Sequence, residues 1–366
     1  MNIIKAKYEI LEQDYNNDLL VNMFKHIEIC GRNCYKSEDK ITDDSYEKFV
    51  NMLISSNHGA MLEHGTVYLT IPLGKPVNDD QYIWKMNIIR FFDDNKYSVV
   101  NKKIVNDTVD VEIKGYNIKT QYSATFYYIT TNWRVIVENN NAVQLKSSTE
   151  CLKDAILQWM TKPTDEHEKR YTIRFTYHLA VARDINRHRV HSIGEESTRY
   201  CNYSKEKFGG QLNYIEPVFL TDNEKQILND PNEYLSLQEM CNQISNDTSS
   251  SSFKAIDYFI FALEACEFAY INLTNLGWTP QKASLVLPLG TKTCSVHTAF
   301  ASDWCHYFNL RALGTTGAPR PSAKEVAWPL MEYFLNNGLI NIDMIDSQKY
   351  MEIKNNYPNI EDYIKL

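Results

Sequence analysis

The 366-residue chain carries 46 acidic against 38 basic side chains, a formal net charge of -8, with 43% hydrophobic residues and 24 tyrosines. That acidic balance argues against general coating of nucleic acid, yet it is compatible with a local basic pocket for one nucleotide. No apolar run reaches the length of a bilayer span, Met1-Asn2-Ile3-Ile4-Lys5 lacks the apolar stretch of a secretion signal, and eight cysteines without a CxxC pair indicate neither a zinc site nor a disulfide framework. The expectation is a cytoplasmic chain without membrane or metal, with reduced cysteines.

In chain order, Leu19 to Cys30 places Leu20, Met23, Phe24 and Ile27 on one helical face, and Gly31-Arg32-Asn33-Cys34-Tyr35 is expected to break the helix. Cys30 and Cys34, one helical turn apart, read as reduced core or pocket residues. Ser45 to Ser56 reads as a second helix with Tyr46, Phe49, Val50 and Leu53 inward. Asp44 with Glu47 resembles a capping arrangement, and Asn57-His58-Gly59 is a stop. Thr66 to Ile71 has the β-branched and aromatic content of a strand. Between about 75 and 170, Asn and Asp clusters alternate with strand-like runs at 124–129 and 133–137. A short amphipathic helix is expected over 151–160. This stretch reads as a β-rich insertion elaborating one domain of residues 1–366.

Tyr171 to Tyr177 is a further strand-like run, after which the chain should turn through Ala182-Arg183-Asp184-Ile185-Asn186. Asn246 to Ser252 is a low-complexity connector whose final serine can cap a long helix over 253–276. There Ile256, Phe259, Ile260 and Leu263 form an apolar stripe for the core or a subunit interface, and Gly277 ends the helix. Residues 295–313 read as another helix, carrying Trp304, His306, Phe308 and Arg311. Ser322-Ala323-Lys324-Glu325 reads as a capping box opening a last helix that Pro329 should kink. No internal repeats are evident.

Against the acidic background, Arg187 to Tyr200 concentrates three arginines, two histidines, Ser197 and Thr198. Arginine forks suit phosphate and carboxylate, hydroxyls add donors, and Gly194 would free the backbone to approach a ligand. Glu195 and Glu196 are candidate partners within the run. The plain alternative is a surface helix end with weak ion pairs.

Arg187-His188-Arg189, then seven residues, then Ser197, continuing through Arg199-Tyr200-Cys201-Asn202-Tyr203-Ser204-Lys205, resembles the signature of the flavin-dependent thymidylate synthases, the ThyX family. Leu287-Pro288-Leu289 and Asp303 to Arg311 resemble that family's second block. The resemblance covers residues near 20–72, 171–216 and 278–335. It implies an α/β (α+β) fold with a mixed or antiparallel sheet flanked by long helices, and a homotetramer with sites between subunits. It also implies reductive methylation of dUMP to dTMP with FAD, methylenetetrahydrofolate as carbon donor and NADPH as reductant.

By position in the family's motifs, the resemblance assigns Arg187, His188, Arg189, His64 and His306 to FAD. It assigns Arg187, Glu195, Ser197, Arg199 and Asp184 to dUMP, with Ser197 and Arg199 on its phosphate. Arg311 falls where the family places the catalytic arginine that polarises the pyrimidine. The chemistry favours a cation there, because addition to the ring builds negative charge.

Four positions depart from the family pattern. Ser284 stands in place of an arginine that reaches the dUMP phosphate from a neighbouring subunit, with Lys282 as a substitute. Phe300 and Ser302 replace an asparagine and an arginine that touch FAD, and Asp184 replaces a glutamine or glutamate. Losing one charge-assisted phosphate contact costs about 1.5–3 kcal/mol. These departures keep two alternatives open: action on another pyrimidine nucleotide, and a nucleotide-binding relative without turnover.

Overall fold

The computed structural model describes residues 1–74, 79–113, 116–141, 151–246 and 253–366. The chain begins with β1 (Asn2–Ile4), β2 (Lys7–Leu11), α1 (Leu19–Tyr35), α2 (Ser45–Ser55) and β3 (Thr66–Leu73). The next stretch supplies α3 (Asp79–Asp93), β4 (Val99–Ile113), β5 (Tyr116–Asn132), α4 (Trp133–Glu138) and α5 (Leu152–Leu157). Then come β6 (Arg170–His178), α6 (Leu179–Ile185), β7 (Ser192–Glu195), β8 (Asn213–Ile215), α7 (Asp222–Asn229), α8 (Leu237–Asn246), α9 (Ala255–Asn275) and α10 (Pro280–Ala283). The chain closes with β9 (Lys292–Phe300), α11 (Ala301–Phe308), α12 (Pro321–Asn336), α13 (Ser347–Asn356) and α14 (Ile360–Lys365).

The central sheet runs β2-β6-β9-β7, antiparallel at every junction. Side chains alternate faces along a strand, so register decides what each face sees. Ile173 opposes His297 and Phe175 opposes Ser295. These residues, with Tyr177 and Ala299, face α6, α11 and α12, where Trp304, Phe308, Met331 and Phe334 are fully buried. Each such burial contributes about 1.5–3 kcal/mol. Thr172, Thr298, Ser192 and Gly194 occupy the opposite face, against α1.

A second sheet, β3-β5-β4, is also antiparallel. Its apolar residues Leu69, Ile71 and Ile129 share one cluster with Met23 and Ile27 of α1, Phe49 and Leu53 of α2, and Trp159. A short parallel pair joins β1 to β8. A third cluster packs Ile256, Ile260 and Leu263 of α9 under Tyr203 and Tyr214. The expected antiparallel sheets with long flanking helices are present. Among the described residues, no helix is long and apolar enough to cross a membrane.

Several local expectations fail for identifiable reasons. Helix α1 continues through Gly31 to Tyr35. A Cβ at Gly31 would lie 2.7 Å from Phe49 Cε1, so this glycine admits α2 rather than ending a helix. Trp133 to Val137 is helical, because the Asn132 side chain accepts from the Val135 N–H and caps it. Residues 182–185 belong to α6. Residues 295–300 form the central strand β9, where paired neighbours on both sides override the helical spacing.

Asp44 caps nothing; its carboxylate takes the Thr42 hydroxyl at 2.8 Å. Ser322 lies inside α12, which starts at Pro321 without a side-chain cap. The connector beyond Asn246, with Ser252, lies outside the described residues. At the start of α9 the Asp257 carboxylate accepts the Lys254 N–H at 2.7 Å. Cys30 and Cys34 are buried free thiols, and burial pushes Cys34 up to about 12.

Candidate active site

Helix α6 delivers the chain into the basic loop. The chain turns tightly from its end: His188 N–H donates to the Ile185 carbonyl at 3.0 Å, and His191 N–H to the His188 carbonyl at 3.0 Å. Successive turns of that kind put His188 and His191 on the inner side, both buried, and leave Arg187, Arg189 and Val190 exposed. The Asn186 amide closes the loop by donating to Glu195 Oε2 at 2.7 Å. The His191 ring packs 4.6 Å from Trp304 and 5.7 Å from His297, and His188 lies edge-on to Tyr307 at 5.1 Å.

Arg311 reaches this loop from the far end of the chain. It sits in a π-helical turn, Asn309–Leu313, that follows α11. Its Nε–H donates to His188 Nε2 at 3.1 Å, and Nη2 donates to the Asp184 carbonyl at 2.6 Å. The Asp184 carboxylate faces away and pairs with Arg320 at 3.1 Å. Burial, then the adjacent Arg311 and His306, push His188 down to about 4. His306 itself is exposed, its ring 5.8 Å from that of His188.

Beyond β7, Glu195 also accepts from the buried Thr293 hydroxyl at 3.1 Å, and burial raises its pKa. Glu196 is 4% exposed and ties three elements together. It accepts from Tyr203 Oη at 3.0 Å and Lys292 Nζ at 2.6 Å, with Lys36 Nζ at 3.5 Å. That anchor holds the loop carrying Ser197 and Arg199 against α1. The Ser197 N–H donates to the Cys34 carbonyl at 2.9 Å, and its hydroxyl accepts the Arg199 N–H at 3.3 Å. Arg199 is exposed, its guanidinium 5.5 Å from the Tyr200 ring centre.

Among the described residues, Arg187, Arg189 and Arg199 carry no ion pair. Three exposed guanidiniums without ion pairs, and Arg311 held by uncharged acceptors, each keep donors available to anions. The exposed rings of His306 and Tyr200 offer flat faces to solvent. Such a set fits a flavin nucleotide, whose diphosphate needs cations and whose ring system needs a flat contact.

His64 stands apart. It is fully buried, and its Nδ1 pairs with the Thr298 hydroxyl at 2.8 Å. Thr298 continues to Thr172 at 2.8 Å, and Thr172 to His26 at 3.0 Å. That chain of hydroxyls and imidazoles lies on the α1 face of the sheet, opposite the face that holds His191, Glu195 and His297. Burial pushes His64 down to about 3. Gly194 likewise faces α1: a Cβ there would sit 3.1 Å from Cys34 Sγ, so its small size serves packing rather than ligand approach.

The departing positions are engaged within the chain. Ser284 donates to the Gln281 carbonyl at 3.0 Å, and Lys282 is exposed. Phe300 lies 5.4 Å beneath the Arg170 guanidinium, and the Ser302 N–H donates to Glu168 at 3.1 Å. Sequence reasoning missed Asn186, Lys292, Tyr203 and Arg320 as organisers of the loop. Asn186 and Tyr203 adjoin the motif and were visible in it; Lys292 and Arg320 gave no local signal.

A family model described as "Thymidylate synthase complementing protein" matches residues 121–335. A flavin-dependent thymidylate synthase of Thermosipho africanus (strain TCF52B) is 25% identical over 169 residues, 45% of this chain. The chain spans 61% of that relative's length. Among solved structures, the UMP/dUMP methylase PolB of Streptomyces cacaoi bound with 5-Br dUMP is 14% identical at a TM-score of 0.34, covering 92% of this chain and 93% of that one. The same enzyme bound with 5-Br UMP is 13% identical at a TM-score of 0.35, covering 92% of each.

Proposed function

The chain belongs to the thymidylate synthase complementing protein family, and from that premise we propose that it is a flavin-dependent thymidylate synthase converting dUMP to dTMP. Methylenetetrahydrofolate is the carbon donor and NADPH the reductant in this reading, and the enzyme works in the cytoplasm. The flavin supplies the electron chemistry when bound, and the chain supplies position and field. Arg187 and Arg189, exposed and without ion pairs, would hold the cofactor's diphosphate, and the exposed His306 ring would contact its ring system. The Ser197 hydroxyl and the Arg199 guanidinium take the dUMP phosphate, with Glu195 at the pyrimidine.

One observation carries the reading. The Arg311 guanidinium is fixed by a neutral imidazole and a carbonyl, so its charge is not neutralised. A cation held that way stabilises negative charge that develops on a uracil carbonyl during addition to the ring. His64, buried behind the sheet, acts on this site only through the structure that carries it. Large apolar side chains are exposed on α9, just after it and just after α10, with Phe268 at 63%, Leu276 at 82% and Leu285 at 85%. Exposed apolar surface of that kind supports the homotetramer in which subunits complete one another's sites.

The test is direct. Purified protein should be yellow, and dUMP with methylenetetrahydrofolate and NADPH should give dTMP. Colourless protein that takes up no FAD refutes the proposal. A second reading, action on another pyrimidine nucleotide, is favoured by the Asp184 carboxylate being engaged by Arg320. Product analysis with dUMP, UMP and dCMP side by side separates the two.

A further inference from the structure

We infer that His188 is a positioning residue that acts through Arg311, holding the guanidinium in place with an uncharged acceptor so that its positive charge stays available to the substrate. The inference rests on the reading of Arg311 as the cation facing the pyrimidine. Arginine has N–H donors and no acceptor. The 3.1 Å contact from Arg311 Nε to His188 Nε2 therefore requires a lone pair on Nε2. His188 is then a neutral imidazole with its proton on Nδ1.

Geometry leaves the ring little freedom. His188 is 4% exposed and lies edge-on to Tyr307 and to His306, with interplanar angles of 66° and 65°. Its backbone is pinned by the turn that runs from Ile185 to His191. The second acceptor, the Asp184 carbonyl at 2.6 Å, lies one helical turn back on the same segment. Two acceptors on one turn thus fix the plane of a guanidinium that enters from the opposite end of the chain.

Neither acceptor carries charge. The acidic side chain on that turn, Asp184, is drawn off by Arg320 at 3.1 Å. A carboxylate at position 188 would reach Arg311 equally well and would neutralise the charge that the reaction needs. Histidine, kept neutral by burial, orients without quenching.

Two substitutions separate orientation from packing. H188Q keeps an acceptor within reach of Arg311, whereas H188F fills the volume and offers none. H188F should lower kcat by about 10- to 100-fold, the loss expected for one hydrogen bond to a charged group. The dUMP dissociation constant should change less than about threefold, and H188Q should return kcat to within about threefold of wild type. Imidazole nitrogen NMR of the wild type should show Nε2 without a proton, and its signal should move in R311Q.

Equal kcat in H188F and wild type overturns the inference, as does an equal loss in H188Q and H188F when both melt like wild type. A protonated Nε2 in the wild type also overturns it. Absence of dTMP formation by the wild type sinks the proposed function alone. The NMR readout then still decides whether His188 orients Arg311.

Discussion

Replacing Glu196 with glutamine tests how the loop carrying Ser197 and Arg199 is held. The carboxylate is almost fully buried and receives Tyr203 Oη and Lys292 Nζ, with Lys36 Nζ close by. Removing one partner of a buried ion pair costs about 3–5 kcal/mol. Lys292 and Lys36 keep side-chain exposures of 15% and 21%, so solvent screens part of that cost. We expect a loss of about 2–3 kcal/mol, at or below the lower end of that range because of the screening. The loss should be local, because Glu196 anchors residues 197–203 while the sheet has its own core. Amide exchange at Ser197, Arg199 and Cys201 should therefore rise roughly 30- to 150-fold, while that of β6 stays unchanged. A double-mutant cycle with K292M should give a coupling energy of about 1–3 kcal/mol. Unchanged exchange in the loop, or strict additivity in the cycle, would refute the reasoning.

Other perturbations probe the remaining claims. R311Q keeps hydrogen-bonding capacity but removes the charge, so kcat/KM for dUMP should fall by at least about 100-fold, and a fall of less than threefold would contradict its role. Burial pushes His26, His178 and His188 to about 4, and His64 and His297 to about 3. Their folded values lie below the unfolded 6.5, so their contribution is present above that pH and is lost as pH falls toward about 4 to 3. Each adds a slope of up to about 1.4 kcal/mol per pH unit. Glu325, raised by burial to about 7, opposes this trend, as do Glu195 and Asp303, which burial also raises, but His167 and His191, both lowered by burial, reinforce it. Melting midpoints should drop steeply from about pH 7 to about pH 5, and a flat profile would count against neutral buried imidazoles. G31A gains about 1 kcal/mol of helix propensity but drives a methyl group into the Phe49 ring, which Arg32 covers at 4.7 Å. Overpacking of about 1–3 kcal/mol should leave it destabilised by about 1 kcal/mol in urea unfolding, and G31A/F49L should relieve that loss.

The helical pattern was legible where one face is apolar over several turns, as in α1 and α9, because that pattern is local. Strand β9 was read as helix, since Ser295, Val296, His297 and Thr298 carry no apolar alternation that distinguishes a sheet interior from a polar helix face. Gly31 and Gly194 misled in the same way. A glycine's letter does not say whether it marks a turn, a ligand or a neighbouring helix. Here the neighbours Phe49 and Cys34 lie far along the chain or on another element.

The amino-acid sequence by itself determined the contents of the basic loop, because Arg187, Arg189, Ser197 and Arg199 are neighbours along the chain whatever the fold. It also carried Arg311 as a candidate, through the resemblance of its surrounding block. Only the tertiary structure decided that Arg311 meets His188 and Asp184, that Arg320 draws off the Asp184 carboxylate, and that His64 lies on the other face of the sheet. The reason is the two-residue period of a strand. A shift of one position in the pairing of β9 with β6 and β7 would exchange the faces of every side chain, and no local pattern encodes that register.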